Sequence, residues 1–292
     1  MDTADPYFYC ELGPLRKAKE RLTASIDESR GLTVVLGAPG TGKTSLSGAL
    51  EQDILRDDRI LLGKILDPTF ATEVEFLVAI GRVFGLSLPA RSSASLKNAL
   101  KNFFFESAVL ENRTLVLAID EAQTLSDANL EALRLLLNYH VPQKKLLNIL
   151  LFGQTELEAR IVERANLGDR VDGWIRLEPL DAAMSGAILD FRLARAGAGT
   201  NQIFTPEARE LLANGSGGLA RRLTMLGHLS MEAAADRAST LVREDHVRSA
   251  MVMRGIPAPP VVPAELPSEP VTSTQRPPGF FSRLFTRLRP AK

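Results

Sequence analysis

The chain is poor in cysteine: Cys10 is the only one among 292 residues. No disulfide can form within the chain, and no multi-cysteine zinc site can be built from it. Histidine is nearly as scarce, and His140, His228 and His246 stand far apart, at no metal-ligand spacing. Long apolar runs are missing too. Nothing approaches the roughly 18–20 apolar residues that a membrane-spanning helix needs. The first residues, Met1-Asp2-Thr3-Ala4-Asp5-Pro6, are acidic and lack the apolar centre of a secretory signal. Net charge is absent as well, with 35 Lys and Arg against 35 Asp and Glu. That excludes a uniformly basic coat for nucleic acid, although a sum can hide a local patch. Together these absences predict a cytoplasmic protein. What is present is ordinary for a folded chain: 45% hydrophobic and 24% charged residues, with length enough for a sizeable core.

The hydrophobic pattern has three regimes. Over 31–180, strand-like runs (32–36, 59–66, Thr114–Ile119, 146–152) alternate with helical spacing (43–55, 71–84, 95–111, 130–137). Strands separated by helices indicate parallel βαβ units in an open α/β sheet buried on both faces. After residue 180 only helical patterns remain, at 181–195, 217–235 and 243–253, with Thr205-Pro206-Glu207 as a helix start. From 255 the composition shifts again. Nine prolines fall between Pro257 and Pro290, a density that precludes a packed helix or sheet. The expected organisation is an entry segment (1–30), a nucleotide-binding α/β domain (31–180), a small all-α lid (181–254), a Pro-rich linker (255–279) and a basic amphipathic tail (280–292).

Residues 37–44 read GAPGTGKT, which fits G-x-x-x-x-G-K-[ST]. Average residue frequencies give about 0.01 chance matches in a chain of this length, and here the match also follows a strand and opens a helix. Gly37, Gly40 and Gly42 let the backbone, with Ala38, Pro39 and Thr41, turn its N–H groups onto phosphate oxygens. Lys43 is the candidate for the β- and γ-phosphates, Thr44 for Mg²⁺, and Ser45 joins the loop as a nucleotide-binding candidate. The positive end of the helix dipole points at the same phosphates. These residues predict ATP and Mg²⁺ as ligands.

The most strand-like run, Thr114–Ile119, leads into Asp120-Glu121-Ala122-Gln123. An acid at the end of a buried strand beside a phosphate loop can share Mg²⁺ with Thr44, and a second acid can activate the attacking water. Asp120 is the metal-side candidate and Glu121 the base. The plainer alternative is that Asp120 caps the next helix.

These stretches resemble the AAA+ ATPases, a class of P-loop NTPase, and more narrowly the ExeA/GspA type linked to general secretion and some pilus systems. The resemblance is carried by IDEAQTLSDANLEALRLLLN, LLFGQTEL, DRVDGWIRLEPL, FRLARAG and GSGGLARRLTML, and covers roughly 7–254. It implies a parallel sheet flanked by helices, a helical lid, ATP hydrolysis and assembly as a homo-oligomer. It also implies roles that spacing could not assign. Gln154 would be a polar sensor of the γ-phosphate, and Arg170, before the fifth strand, an arginine finger acting on the neighbouring subunit. Arg221 would be the lid's sensor arginine, with Arg222 as the alternative. The chain departs from the pattern at Asp169, Trp174 and Ala220, where members often carry Gln, Arg and Pro.

In the tail, Phe281, Leu284, Phe285 and Leu288 recur at i, i+3, i+4, i+7, with Arg283 and Arg287 off that face. Such a segment suits a protein partner or an anionic membrane surface, which would make the protein peripherally membrane-associated. Packing on the lid or a frayed end is the alternative. The first functional reading is an ATPase that remodels or positions a partner at a secretion or pilus-type envelope assembly. The second is a DNA-associated regulator of the TniB/TnsC transposition type, for which Arg91, Lys97, Lys101, Lys144 and Lys145 are candidate phosphate contacts.

Overall fold

The computed structural model describes residues 8–89, 92–142, 144–198 and 202–257. The 280–292 tail, all but the first three residues of the 255–279 segment, and Arg91 lie outside these. In chain order, α1 (Gly13–Asp27) leads to β1 (Leu32–Gly37), α2 (Lys43–Ile54), β2 (Ile60–Ile65), α3 (Glu73–Val83), α4 (Ser93–Phe105) and β3 (Thr114–Ile119). There follow α5 (Asp127–Leu136), a hairpin of β4 (His140–Val141) and β5 (Lys144–Lys145), then β6 (Asn148–Gly153), α6 (Glu156–Val162), α7 (Ala165–Gly168) and β7 (Val171–Leu177). Four helices close the described chain: α8 (Ala182–Arg195), α9 (Pro206–Ser216), α10 (Ala220–Asp236) and α11 (Glu244–Met253).

The five longer strands form one parallel sheet in the order β2-β3-β6-β1-β7. β1 and β6 are buried at all six positions, which is why LTVVLG and NILLFG are mostly apolar. One face of the sheet packs on α3, α4 and α5 through Phe76, Leu100, Phe104 and Leu133. The other packs on α1 and α2 through Leu22, Leu46, Leu50 and Phe152. The helices after β7 have their own core around Phe204, Leu212, Leu226 and Met251. Thr205 caps α9 as expected, accepting from the Ala208 N–H with Pro206 in the first turn.

Two adjacent residues divide between these cores. Tyr9 packs against the α1–α2 side of the sheet, whereas Cys10 lies in the core of the C-terminal helices.

The structure differs from the sequence reading in three places. The helix expected over 95–111 is α4 followed by a π-helical turn, Glu106–Leu110, closed by the Glu111 N–H donating to the Glu106 carbonyl at 3.0 Å. The β4–β5 hairpin is new, because strands of two residues carry no readable period. α6 and α7 are also new. Among the described residues no helix is long and apolar enough to cross a membrane.

Candidate functional site

Three strand ends set the site. β1 ends at Gly37, β3 at Ile119 and β6 at Gly153, and β6 lies between the other two. Leu36 pairs with Gly153, and Ile119 with Leu151, so the ends are nearly level. The carboxyl ends of parallel strands are where open α/β sheets bind ligands.

Beyond β1 the chain curls on itself. Gly40 (φ +86°) and Gly42 (φ +103°) adopt left-handed backbone that side chains rarely take. Thr41 donates to the Ala38 carbonyl from both its N–H (3.3 Å) and its hydroxyl (2.9 Å). A Cβ at Gly37 would fall 2.6 Å from that hydroxyl, so the loop is closed to side chains there. Lys43 opens α2 and is only 6% exposed. Its ammonium donates to the carbonyls of Gly37 (2.7 Å) and Ala38 (3.2 Å). Burial pushes this ammonium below the ordinary lysine range, opposed by the carboxylates of Glu121, Asp120 and Glu156. Thr44 is exposed in the first turn of the same helix, with Ser45 half-buried beside it.

The acidic pair is split by environment. Asp120 is buried, and its N–H donates to the Ile65 carbonyl at 2.8 Å, the last rung between β3 and β2. Its Oδ1 accepts from the Glu121 N–H at 3.0 Å. Glu121 then turns to φ +49°. Such a conformation costs a non-glycine residue about 1–2 kcal/mol. Thr124 holds the turn, with its N–H and hydroxyl both donating to the Glu121 carbonyl at 2.9 Å. The exposed Glu121 carboxylate accepts from Gln123 Nε2 at 2.5 Å. The Gln154 N–H donates to Gln123 Oε1 at 3.1 Å. Gln123 is thus a site residue that the sequence reading passed over, although the Asp-Glu-Ala-Gln string contains it.

The C-terminal helices face the phosphate loop across a cleft of about 650 Å³. Pro39 and Gly40 line one side, with Phe8, Ile188, Leu189 and Met231 supplying apolar wall. Arg192, Arg221, Arg222 and Arg254 also line it, and none of its lining residues is acidic. Such a lining suits a ligand with a flat apolar body and negative charge. Arg221 touches the loop directly. Its N–H donates to the Gly40 carbonyl at 3.4 Å, and a Cβ on Gly40 would lie 3.4 Å from Arg221 Cβ. Arg222 is exposed one position further along α10, on the same cleft. Arg192, which the sequence reading did not single out, has a half-buried guanidinium whose Nε has no partner, and burial disfavours its charge.

Arg170 stands apart from this cluster. It precedes β7, whose first residue pairs with Leu32 at the start of β1. The length of β1 therefore separates it from Gly37, roughly 17 Å at 3.3 Å per residue. Its Nε is buried without a partner. The fold brings Lys43, Thr44, Asp120, Glu121, Gln154 and Arg221 to one end of the sheet and leaves Arg170 at the other.

The lysines considered for DNA are engaged within the chain. Lys97 pairs with Glu73 at 2.6 Å and Lys145 with Asp172 at 2.6 Å. Lys144 donates to the Arg113 carbonyl at 3.4 Å, and Lys101 sits 6.0 Å from the centre of the Tyr139 ring.

The residues fit a magnesium–nucleotide complex. A hydroxyl and a buried carboxylate are the hard oxygen donors that Mg²⁺ takes alongside phosphate. The glycine backbone and Lys43 supply donors for the phosphates themselves.

Comparison with known proteins agrees. Residues 26–161 match the family model of an AAA domain. General secretion pathway protein A of Aeromonas hydrophila is 33% identical over 246 residues, covering 82% of this chain and 44% of that protein. The chain thus spans less than half the length of this relative. Among solved structures, Cdc6p from Pyrobaculum aerophilum superposes with a TM-score of 0.65 at 18% identity, covering 87% of this chain and 71% of that one. Drosophila ORC bound to DNA gives 0.65 at 20% identity, covering 87% and 65% respectively. The Thermotoga maritima RuvB branch migration motor gives 0.55 at 16%, covering 82% and 68%. At these identities the likeness is one of fold. The AAA domain match, the secretion-protein relative and the strand order together support an AAA+ ATPase of the ExeA/GspA type.

Proposed function

We propose that the chain hydrolyses ATP as a homo-oligomer and uses the cycle to remodel or position a protein partner at a secretion or pilus-type envelope assembly. The observation that carries this reading is the convergence of Lys43, Asp120, Glu121 and Gln154 at one end of the sheet, beside the phosphate loop that borders the arginine-lined cleft. In this reading the backbone of Gly37 to Gly42 and the Lys43 ammonium hold the phosphates. Thr44 and Asp120 would hold Mg²⁺, which when bound would supply positive charge against the phosphates. Glu121 accepts the proton of the attacking water. Gln154 contacts the γ-phosphate, Arg221 reaches the phosphates from the lid, and Arg192 adds positive charge to the cleft. Arg170, too far from its own phosphate loop, serves the neighbouring subunit as an arginine finger.

The envelope setting rests on the likeness to the secretion protein of Aeromonas hydrophila. The basic, apolar segment 280–292 is assigned to a protein partner or an anionic membrane surface. A DNA-bound role gains no support from the basic residues first considered, since the four described lysines already have partners within the chain.

The Glu121→Gln variant tests the reading. It should bind ATP as the wild type does and lose at least about 100-fold in kcat, the scale of general-base catalysis. Unchanged turnover would remove Glu121 from the reaction.

A further inference from the structure

Gln123 is bonded on three sides. Its side-chain amide donates to Glu121 Oε2 at 2.5 Å and accepts from the Gln154 N–H at 3.1 Å. Its main-chain carbonyl accepts from Arg160 Nη1 at 2.7 Å. Arg160 is itself fixed, pairing with Asp127 at 2.8 Å, and Asp127 also pairs with Arg164 at 2.6 Å.

The chemistry of the two side-chain partners is restrictive. A carboxylate can only accept and a backbone N–H can only donate, so the bridging group must do both. A carboxamide does both at neutral pH, from two separate atoms, and the partners also fix which end of the amide faces which. Glutamate in its place would keep the acceptor and lose the donor. Lysine would do the reverse.

The surroundings are built to admit the bridge. The left-handed turn at Glu121 starts the short 3₁₀ segment Ala122–Thr124 that carries Gln123 back toward β6. At the end of β6, a Cβ on Gly153 would lie 2.5 Å from Leu157 Cδ2 and 3.4 Å from Gln123 Oε1, so a side chain there would crowd the approach.

We propose that Gln123 is a positioning residue: it holds the Glu121 carboxylate and the Gln154 backbone in one fixed relation, so that the base and the γ-phosphate sensor are aligned by a single side chain. The inference rests on the roles proposed above for Glu121 and Gln154. A free glutamate side chain samples several rotamers, and a misplacement of about 1 Å in a reacting group can cost on the order of 100-fold in rate.

Two variants separate the two halves of the bridge, each read in the nucleotide-free protein and in turnover. In Gln123→Ala, amide hydrogen exchange at Gln154 should quicken by about 10-fold, as for a lost hydrogen bond. Its kcat should fall by about 10-fold or more, with KM for ATP within about twofold. In Gln123→Glu, exchange at Gln154 should stay within about twofold of the wild type, because the acceptor remains, while kcat falls as in the alanine variant. Unaltered exchange at Gln154 in Gln123→Ala, or wild-type kcat in Gln123→Glu, would overturn the proposal. The exchange measurement uses no nucleotide. It therefore distinguishes failure of the bridge from failure of the base assignment, which Glu121→Gln reads separately.

Discussion

Replacing Lys43 with methionine should leave the nucleotide-free fold nearly as stable as before while removing nucleotide affinity. The buried ammonium makes two hydrogen bonds to loop carbonyls, at 2.7 and 3.2 Å. Hydrogen bonds from a charged donor contribute about 1.5–3 kcal/mol each. Against them stands the desolvation of a side chain that is 6% exposed, an effective cost of several kcal/mol for a buried ion. The downward shift of the ammonium shows that burial outweighs the nearby carboxylates. These contributions nearly cancel, and methionine fills a similar volume without charge. Denaturant unfolding of Lys43→Met without nucleotide should thus differ from the wild type by no more than about 1 kcal/mol, or roughly 2–4 °C in Tm. Titration calorimetry should show ATP affinity reduced at least about 100-fold, the loss of one strong charged contact. A fall in nucleotide-free stability of more than about 3 kcal/mol would refute the cancellation. Retained affinity would refute the assignment of Lys43 to the phosphates.

Tyr9 offers a test of opposite sign. Its hydroxyl is buried without a partner, so Tyr9→Phe should be as stable as the wild type at pH 7, or more stable by about 1 kcal/mol, in thermal or denaturant unfolding. Burial, then the Glu11 and Asp53 carboxylates, push the phenol well above its ordinary value of 10. Above pH 10 the unfolded chain can therefore ionise where the folded one cannot, and wild-type stability falls with pH. The advantage of the phenylalanine variant should widen from pH 10 upward; parallel curves would rule this out. Deleting residues 276–292 should abolish recruitment to a partner or membrane, read by co-sedimentation and cell imaging, while ATP binding persists. Unchanged localisation would remove the docking role of the tail.

Much of the sheet was legible because its strands are buried on both faces. Thr114–Ile119 carries an unbroken apolar run that depends on nothing beyond itself, and the structure has a strand over those same residues. The phosphate loop was legible for a similar reason: glycines with positive φ and a lysine at fixed spacing are a local requirement. β7 was harder. VDGWIRL is an edge strand with polar and glycine positions, and its burial is intermittent. Only the resemblance placed a strand there. Gln123 was hidden for another reason. Its partners are Glu121, two residues away, and the N–H of Gln154, 31 residues away, and nothing in the sequence reveals that β6 enters between β1 and β3. The basic residues misled in the reverse direction. Lys97 and Lys145 look like free cations in a string of letters, whereas Glu73 and Asp172 neutralise them in space.

The division of Tyr9 and Cys10 between two cores has a mechanical meaning. The C-terminal helical body is joined to the sheet covalently by the chain leaving β7. It is joined a second time near the N-terminus, where one peptide bond links a residue packed on the sheet to a residue packed in the helices. A body held at a single point can wag in any direction. A body held at two points keeps one easy motion, rotation about the line between them. For the cleft over Gly40 to open, the chain would have to bend at both of these joints at once.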